Sequence, residues 1–213
     1  EQHPNSLELK LLQVEVLAFE DKFEAAERLL DEIQNIDAHN EEIYIQRANI
    51  RSKQDNHQEA VNLLTEALHL TDDNFDIHSL LGMEYLFMDD YEKAKRSFMK
   101  CVEMDDSDYS SLYNVIYCFE FLEDFDGGVH YLNDYLERNP YCEVAWHQLG
   151  KMYYAMDMFP EALTAFDFAV ISDDTFIGAY FEKGKVLEKL GRYNEAIENY
   201  ESTISIEDPT SHA

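Results

Sequence analysis

Small residues recur along this chain at a fixed interval. Ala26, Ala60, Ala94, Gly128, Ala162 and Ala196 stand 34 residues apart, five alanines in six places although only 16 of the 213 residues are alanine. The same step from Phe166 reaches Leu30, Leu64, Phe98, Leu132 and Tyr200, and from Phe159 it reaches Phe23, His57, Tyr91, Phe125 and Tyr193, with no gap. A period of this length means one supersecondary unit built several times, each copy burying its apolar face against the next.

Each period holds two apolar stripes at helical spacing on either side of a short polar turn, which predicts an antiparallel helix pair. Seven glycines and four prolines leave too few turn formers for a sandwich or barrel. The register is clearest at Trp146-x-x-Leu149-Gly150-x-x-Tyr153 followed by Glu161-Ala162-x-x-x-Phe166-x-x-Ala169. This phrase resembles the tetratricopeptide repeat. The resemblance is strongest in the third, fifth and sixth copies. It implies an all-α right-handed α–α superhelix, a solenoid of six tandem helix-turn-helix repeats at 7–40, 41–74, 75–108, 109–142, 143–176 and 177–210.

Residues 1–6 read as the tail of a preceding, truncated repeat, because Pro4 occupies the place that Pro140 holds in the fourth copy. At the other end Pro209, Ser211 and His212 follow Ile197, Tyr200 and Ile204 with no further helix to cover them. Solenoid ends need polar caps, so the chain is expected to be part of a longer array, and pairing of two copies through uncapped ends stays open. Within the repeats, Gly150 and Ala162 are expected to face each other. Bulky Ile116 is expected to be compensated by Gly128, where a valine would destabilise the chain. Acids in the turns Asp21-Lys22-Phe23, Asp89-Asp90-Tyr91 and Glu123-Asp124-Phe125 are expected to favour the start of each second helix.

A net charge of −29 disfavours nucleic acid and anionic membrane as partners. No apolar run approaches the length of a membrane span. Cys101, Cys118 and Cys142 have no CxxC spacing and are expected to be unpaired structural thiols in a reducing compartment, which points to a cytoplasmic location. No GxSxG, P-loop, GxGxxG or HExxH motif occurs, and Asp105-Asp106-Ser107-Asp108 lacks the glycine and closing glutamate of a calcium loop. No catalytic residue, metal ligand or cofactor is therefore expected, and the chain reads as a non-enzyme.

The family resemblance also implies a groove lined by the first helix of each repeat. Carried over, it places Asn49 and Lys53 in the second repeat, Met83 and Phe87 in the third, and Tyr113, Asn114, Tyr117 and Phe121 in the fourth. His147, Lys151 and Tyr154 follow in the fifth, then Phe181, Lys185 and Lys189 in the sixth. The carboxylate clamp of chaperone-binding members is not matched: Ile45 stands where its lysine belongs and Leu80 where its second asparagine belongs. The expected function is an interaction scaffold holding a peptide or partner helix in this groove. Self-assembly through open repeat ends and an adaptor region of a larger enzyme are the alternatives.

Overall fold

The computed structural model describes residues 7–71 and 73–207, and every regular element among them is an α-helix. Twelve helices follow one another: α1 (Leu7–Phe19), α2 (Phe23–Ile36), α3 (Glu41–Lys53), α4 (His57–Leu70), α5 (Phe75–Phe87), α6 (Tyr91–Met104), α7 (Tyr109–Phe121), α8 (Phe125–Arg138), α9 (Glu143–Ala155), α10 (Phe159–Ser172), α11 (Ile177–Lys189) and α12 (Tyr193–Glu207). The odd-numbered helices start 34 residues apart, as do the even-numbered ones. Residues 1–6 and 208–213, with Pro4, Pro209, Ser211 and His212, lie outside the described residues.

Two compact units divide the chain, Glu1–Cys118 and Phe119–Ala213, with the boundary inside α7. In the first, α1 packs on α2, α3 on α4 and α5 on α6, while α3 also meets α1 and α2, and α4 meets α5. In the second, α9 packs on α8, α10 and α11, and α11 packs on α12. The core of each unit is the run of side chains shared by these pairs, such as Val14, Ala26, Leu30 and Ile43 in the first, and Ala162, Phe166 and Val186 in the second.

The turns inside the pairs are uniform. Asp21, Asp55, Asp89, Glu123 and Asp157 have φ between 54° and 58°, and Gly191 takes the sixth place at φ 73°. In the first turn Asp21 N–H donates to the Ala18 carbonyl at 3.3 Å and Lys22 N–H to that of Leu17 at 2.8 Å, a Schellman closure of α1. The other five turns repeat both bonds. This corrects part of the expectation for the turn acids: Asp21, Asp89 and Glu123 terminate the first helix in left-handed backbone. Only the next residue caps the second helix, as Asp90 does through Lys93 N–H and Asp124 through Gly127 N–H. Left-handed backbone costs a side-chain-bearing residue about 1–2 kcal/mol, partly offset by the entropy that glycine loses on folding. Glu123 is exposed. Glu123→Gly is therefore expected to stabilise the chain by about 0.5–1 kcal/mol in urea unfolding, whereas Gly191→Glu shifts stability the other way.

Other aspartates belong to turns between repeats. Asp37, Asp105 and Asp173 close α2, α6 and α10. The Asp105 carboxylate accepts from Ser107 N–H at 3.0 Å and from its hydroxyl at 2.7 Å, and Asp173 does the same with Thr175 at 2.8 and 2.7 Å. These bonds hold both carboxyls below their ordinary pKa. Much of the acidity of the calcium-like stretch is thus spent on local turns.

The backbone of Gly150 lies against the ring of Phe166. A Cβ at Gly150 would stand 2.6 Å from that ring, one at Gly82 2.6 Å from the Phe98 ring, and one at Gly184 would overlap the Tyr200 ring. The pairing is selective along the chain. Where the second helix carries leucine at this place (Leu30, Leu64, Leu132), the first carries a side chain (Val14, Ala48, Ile116). Gly128 lies beside Met152, whose Cε would be 3.0 Å from an added Cβ, and beside Phe119 at 3.4 Å, so valine there would collide with the second unit's core.

Candidate functional site

The first helices of the first unit form the walls of a trough made of two adjoining hollows. One, of about 500 Å³, is lined by Glu15, Ala18 and Phe19 of α1, Gln46, Asn49, Ser52 and Lys53 of α3, and Leu80, Met83, Glu84 and Phe87 of α5. The other, of about 340 Å³, is lined by Met83, Leu86 and Phe87 of α5, Asp89, Tyr91 of α6, and Asn114 and Tyr117 of α7. Met83 and Phe87 belong to both. The side chains meet here because residues three and four apart on each helix share a face.

Apolar surface in the trough is exposed rather than packed away. Phe87 is 59% accessible, Met83 39%, Tyr117 42% and Phe19 82%, more than a core position on any of these helices allows. His57 of α4 stacks on Phe87 with ring centroids 4.9 Å apart, and its Nδ1 lies 2.9 Å from Glu84 Oε2. One imidazole thus braces an aromatic and a carboxylate of the same wall. Lys53 donates to the Ala18 carbonyl at 2.9 Å and lies over the Phe19 ring at 5.5 Å, which ties the sole cation lining these hollows to the end of α1. Gln46 spans Glu15 at 3.3 Å and Glu42 at 2.8 Å. At the far end the Tyr91 hydroxyl donates to Asp89 at 2.9 Å, and its ring tilts against Tyr117 at 6.3 Å.

Asn49, Met83, Phe87, Asn114 and Tyr117 therefore line one surface, and Tyr113 on α7 is 42% accessible without lining either hollow. The remaining sequence candidates belong to the second unit. Phe121 is exposed. Lys151 lies 3.7 Å from Glu120 and 3.4 Å from the Gln148 amide oxygen. Tyr154 meets Phe159 edge-on, and Lys185 sits over Phe181 at 4.7 Å while bonding Glu182 at 2.9 Å. His147 turns inward, between Phe166 at 5.7 Å and Phe176 at 5.1 Å. Both of its ring nitrogens are sealed from solvent without a hydrogen-bond partner. Burial pushes its pKa down to about 4, with Lys151 adding to the effect and Glu182 opposing it.

Glu15, Phe19 and Gln46 were missed by sequence reasoning, although each stands in a column used elsewhere: Glu15 with Asn49, Met83 and Tyr117, Phe19 with Lys53 and Phe87, Gln46 with Asn114. Extending the columns into the first and second repeats would have found them. Glu84 had a different signal, as the sole charged residue in a column that otherwise reads Val16, Ile50, Cys118, Met152 and Val186.

Nucleophilic chemistry has little support. Cys101, Cys118 and Cys142 are buried, and burial raises the Cys101 pKa and pushes that of Cys118 to about 11, so Cys101 and Cys118 stay protonated. Cys142 uses its sulfur to cap α9, accepting from Ala145 N–H at 3.4 Å. Among the described residues no group of three or more His, Cys, Asp or Glu is placed to hold a metal ion, and no helix is long and apolar enough to cross a membrane.

The helix pairs and their columns agree with an independent comparison: the family model described as tetratricopeptide repeat matches residues 75–108 and 177–208. The chain carries a tetratricopeptide repeat domain. Anaphase-promoting complex subunit 3 of Schizosaccharomyces pombe is 28% identical to this tetratricopeptide chain over 160 residues, 75% of this chain and 24% of that protein. The chain thus spans about a quarter of the length of that curated relative. Among solved structures, YrrB, described as a tetratricopeptide protein with an unusual peptide-binding site, superposes with a TM-score of 0.57 at 21% identity, covering 86% of this chain and 94% of YrrB. A chain of the Cut9–Hcn1 hetero-tetramer of the anaphase-promoting complex superposes at 0.52 with 16% identity, covering 99% of this chain and 41% of its own length. At these identities the two structures share the tetratricopeptide fold. Fold and sequence similarity thus agree on the tetratricopeptide type.

Proposed function

We propose that the trough of the first unit is the binding surface of this module and holds a segment of a partner polypeptide. The observation that carries this reading is the exposure of Phe19, Met83, Phe87 and Tyr117 along two adjoining hollows that share Met83 and Phe87. Apolar side chains massed in one concave site, with amides beside them, mark a recognition surface rather than ordinary scatter. Asn49 and Asn114 supply both donors and acceptors to an extended backbone, and Tyr117 offers a rigid face at low entropic cost. Kinship with a subunit of a multiprotein complex, and likeness to a protein described by its peptide-binding site, are in keeping with this reading.

Hot spots of such surfaces are the large central side chains, whose truncation costs about 2 kcal/mol or more each. Phe87→Ala/Tyr117→Ala is expected to lose at least about 90% of partner recovered from a source lysate at sub-saturating bait. Melting temperature should shift little, since both rings are half exposed. Undiminished recovery by the folded double variant rejects the trough.

A further inference from the structure

Glu84 is a charged residue where the architecture asks for an apolar one. Its side chain is about nineteen-twentieths buried, at 5% accessibility, yet it lines the trough. The equivalent places in the other repeats hold Val16, Ile50, Cys118, Met152 and Val186. Its partner His57 is an exception of the same kind, in a column of Phe23, Tyr91, Phe125, Phe159 and Tyr193. Two polar substitutions in two apolar columns meet at 2.9 Å. Burying a carboxylate is unfavourable, and nothing in the helix pair needs one, because five other copies of the unit do without it. The bond to His57 satisfies Oε2 only. Among the described residues Oε1 has no hydrogen-bond partner, and it is not among the polar atoms sealed from solvent. The carboxylate is held by His57 with one oxygen left for a ligand.

The surroundings decide what that ligand is. Glu15 lines the same hollow from α1, and Asp89 lines the adjoining one. Lys53, the cation there, is already committed to the Ala18 carbonyl and the Phe19 ring. A net charge of −29 adds a long-range field of the same sign. An acidic or carboxylate-terminated segment would meet repulsion throughout. A cationic side chain would find two carboxylates beside the exposed faces of Met83 and Phe87.

Resting on the trough reading above, we propose that the first unit selects extended polypeptide segments in which a lysine or arginine adjoins an apolar residue, the cation meeting Glu84 and Glu15 and the apolar side chain lying on Met83 and Phe87. His57 is a positioning residue in this scheme. It fixes the Glu84 carboxylate and, by stacking, the ring of Phe87, so both halves of the recognition element are set before the ligand arrives. Charge-assisted hydrogen bonds inside a recessed site supply the selectivity, and the general acidity of the chain supplies the attraction at a distance.

The test uses fluorescein-labelled nonapeptide pools, each with Arg-Leu, Gln-Leu or Glu-Leu fixed at the centre and random elsewhere, read by fluorescence polarisation at 0.15 M salt on the full chain. The Arg-Leu pool is expected to bind about tenfold more tightly than the Gln-Leu pool and the Glu-Leu pool weakest. Glu84→Gln should erase most of the Arg-over-Gln preference, whereas Glu66→Gln, which removes an exposed charge of α4 outside the trough, should leave it. Glu15→Gln, also exposed, provides a second reading if Glu84→Gln lowers the melting temperature. Equal losses in Glu84→Gln, Glu15→Gln and Glu66→Gln, or no Arg preference in the native chain, overturn the cation selectivity while Phe87-dependent binding of the pools leaves the trough intact. Binding indifferent to Phe87→Ala in every pool, or absent from all of them, overturns the trough as well.

Discussion

Gly150→Ala is expected to destabilise the chain by about 1–3 kcal/mol in equilibrium urea unfolding. Adding Phe166→Leu should recover part of that loss. Two effects oppose each other at Gly150. Alanine is favoured over glycine in a helix interior by about 1 kcal/mol, which acting alone would stabilise α9. The new methyl, however, would lie 2.6 Å from Phe166 Cε1, and that ring is fully buried, so it has no free space into which to move. Overpacking of a sealed core wins over propensity. Phe166→Leu by itself leaves a void and costs about 1 kcal/mol or more. Together the two substitutions reproduce the Ala48 and Leu64 combination already present in the second repeat, with the helix propensity gain retained. The double variant should therefore be more stable than Gly150→Ala, with a coupling larger than the cost of Phe166→Leu alone. Strict additivity, or a Gly150→Ala chain as stable as the native one, would show that the ring yields and that the glycine has another cause.

Acid should weaken the second unit earlier than its carboxylates alone would require. His147 has a folded pKa of about 4 against an ordinary 6.5, because burial between Phe166 and Phe176 disfavours its charged form. With the folded pKa below the unfolded one, the unfolded chain takes the proton first. The stability associated with neutral His147 is complete above pH 6.5 and is lost progressively as pH falls to about 4. Over that window the loss reaches about 3 kcal/mol. The lowered carboxyls of Asp105 and Asp173 act at lower pH, below their ordinary value of 3.8, so the windows separate. His147→Leu should flatten the stability profile between pH 6.5 and 4.5 while leaving the steeper decline below it. A profile unchanged by the substitution would mean that the imidazole finds solvent or a partner when protonated.

The helix pairs were legible from the sequence because periodicity is a property of many residues at once. A column such as Ala26 to Ala196 survives one exception at Gly128. Individual contacts were less legible. Matching small residue to small residue pairs Gly150 with Ala162 and does not anticipate the flat ring of Phe166 that lies against the glycine backbone. Column comparison within the chain already held the answer, since glycine occurs on the first helix only where an aromatic stands on the second. Among the turn acids Asp90 and Asp124 cap the second helix as expected, whereas Asp21, Asp89 and Glu123 were misread for a related reason. A residue one place before a helix start can be the left-handed end of the preceding helix, and charge alone does not distinguish the two roles.

Trough residues fell between these cases. Asn49, Met83, Phe87, Asn114 and Tyr117 followed from family register, and the geometry gathers them along two adjoining hollows that share Met83 and Phe87. His147 occupies a groove register too, but its ring is drawn into the space between Phe166 and Phe176, a choice of rotamer that no spacing argument reveals. Glu84 was overlooked because its position reads as core. Only its side-chain type, in a column of apolar residues, marked it as different.

Locating the partner on the surface of the folded chain tests the binding account most directly. A benzoylphenylalanine introduced at Met83, which is half exposed and lines both hollows, would be irradiated in source lysate beside one placed at the exposed Glu66 of α4. The account predicts a discrete adduct from position 83 that is absent from position 66 and disappears with Phe87→Ala. Equal adducts from both positions, or a position 83 adduct indifferent to Phe87→Ala, would contradict it.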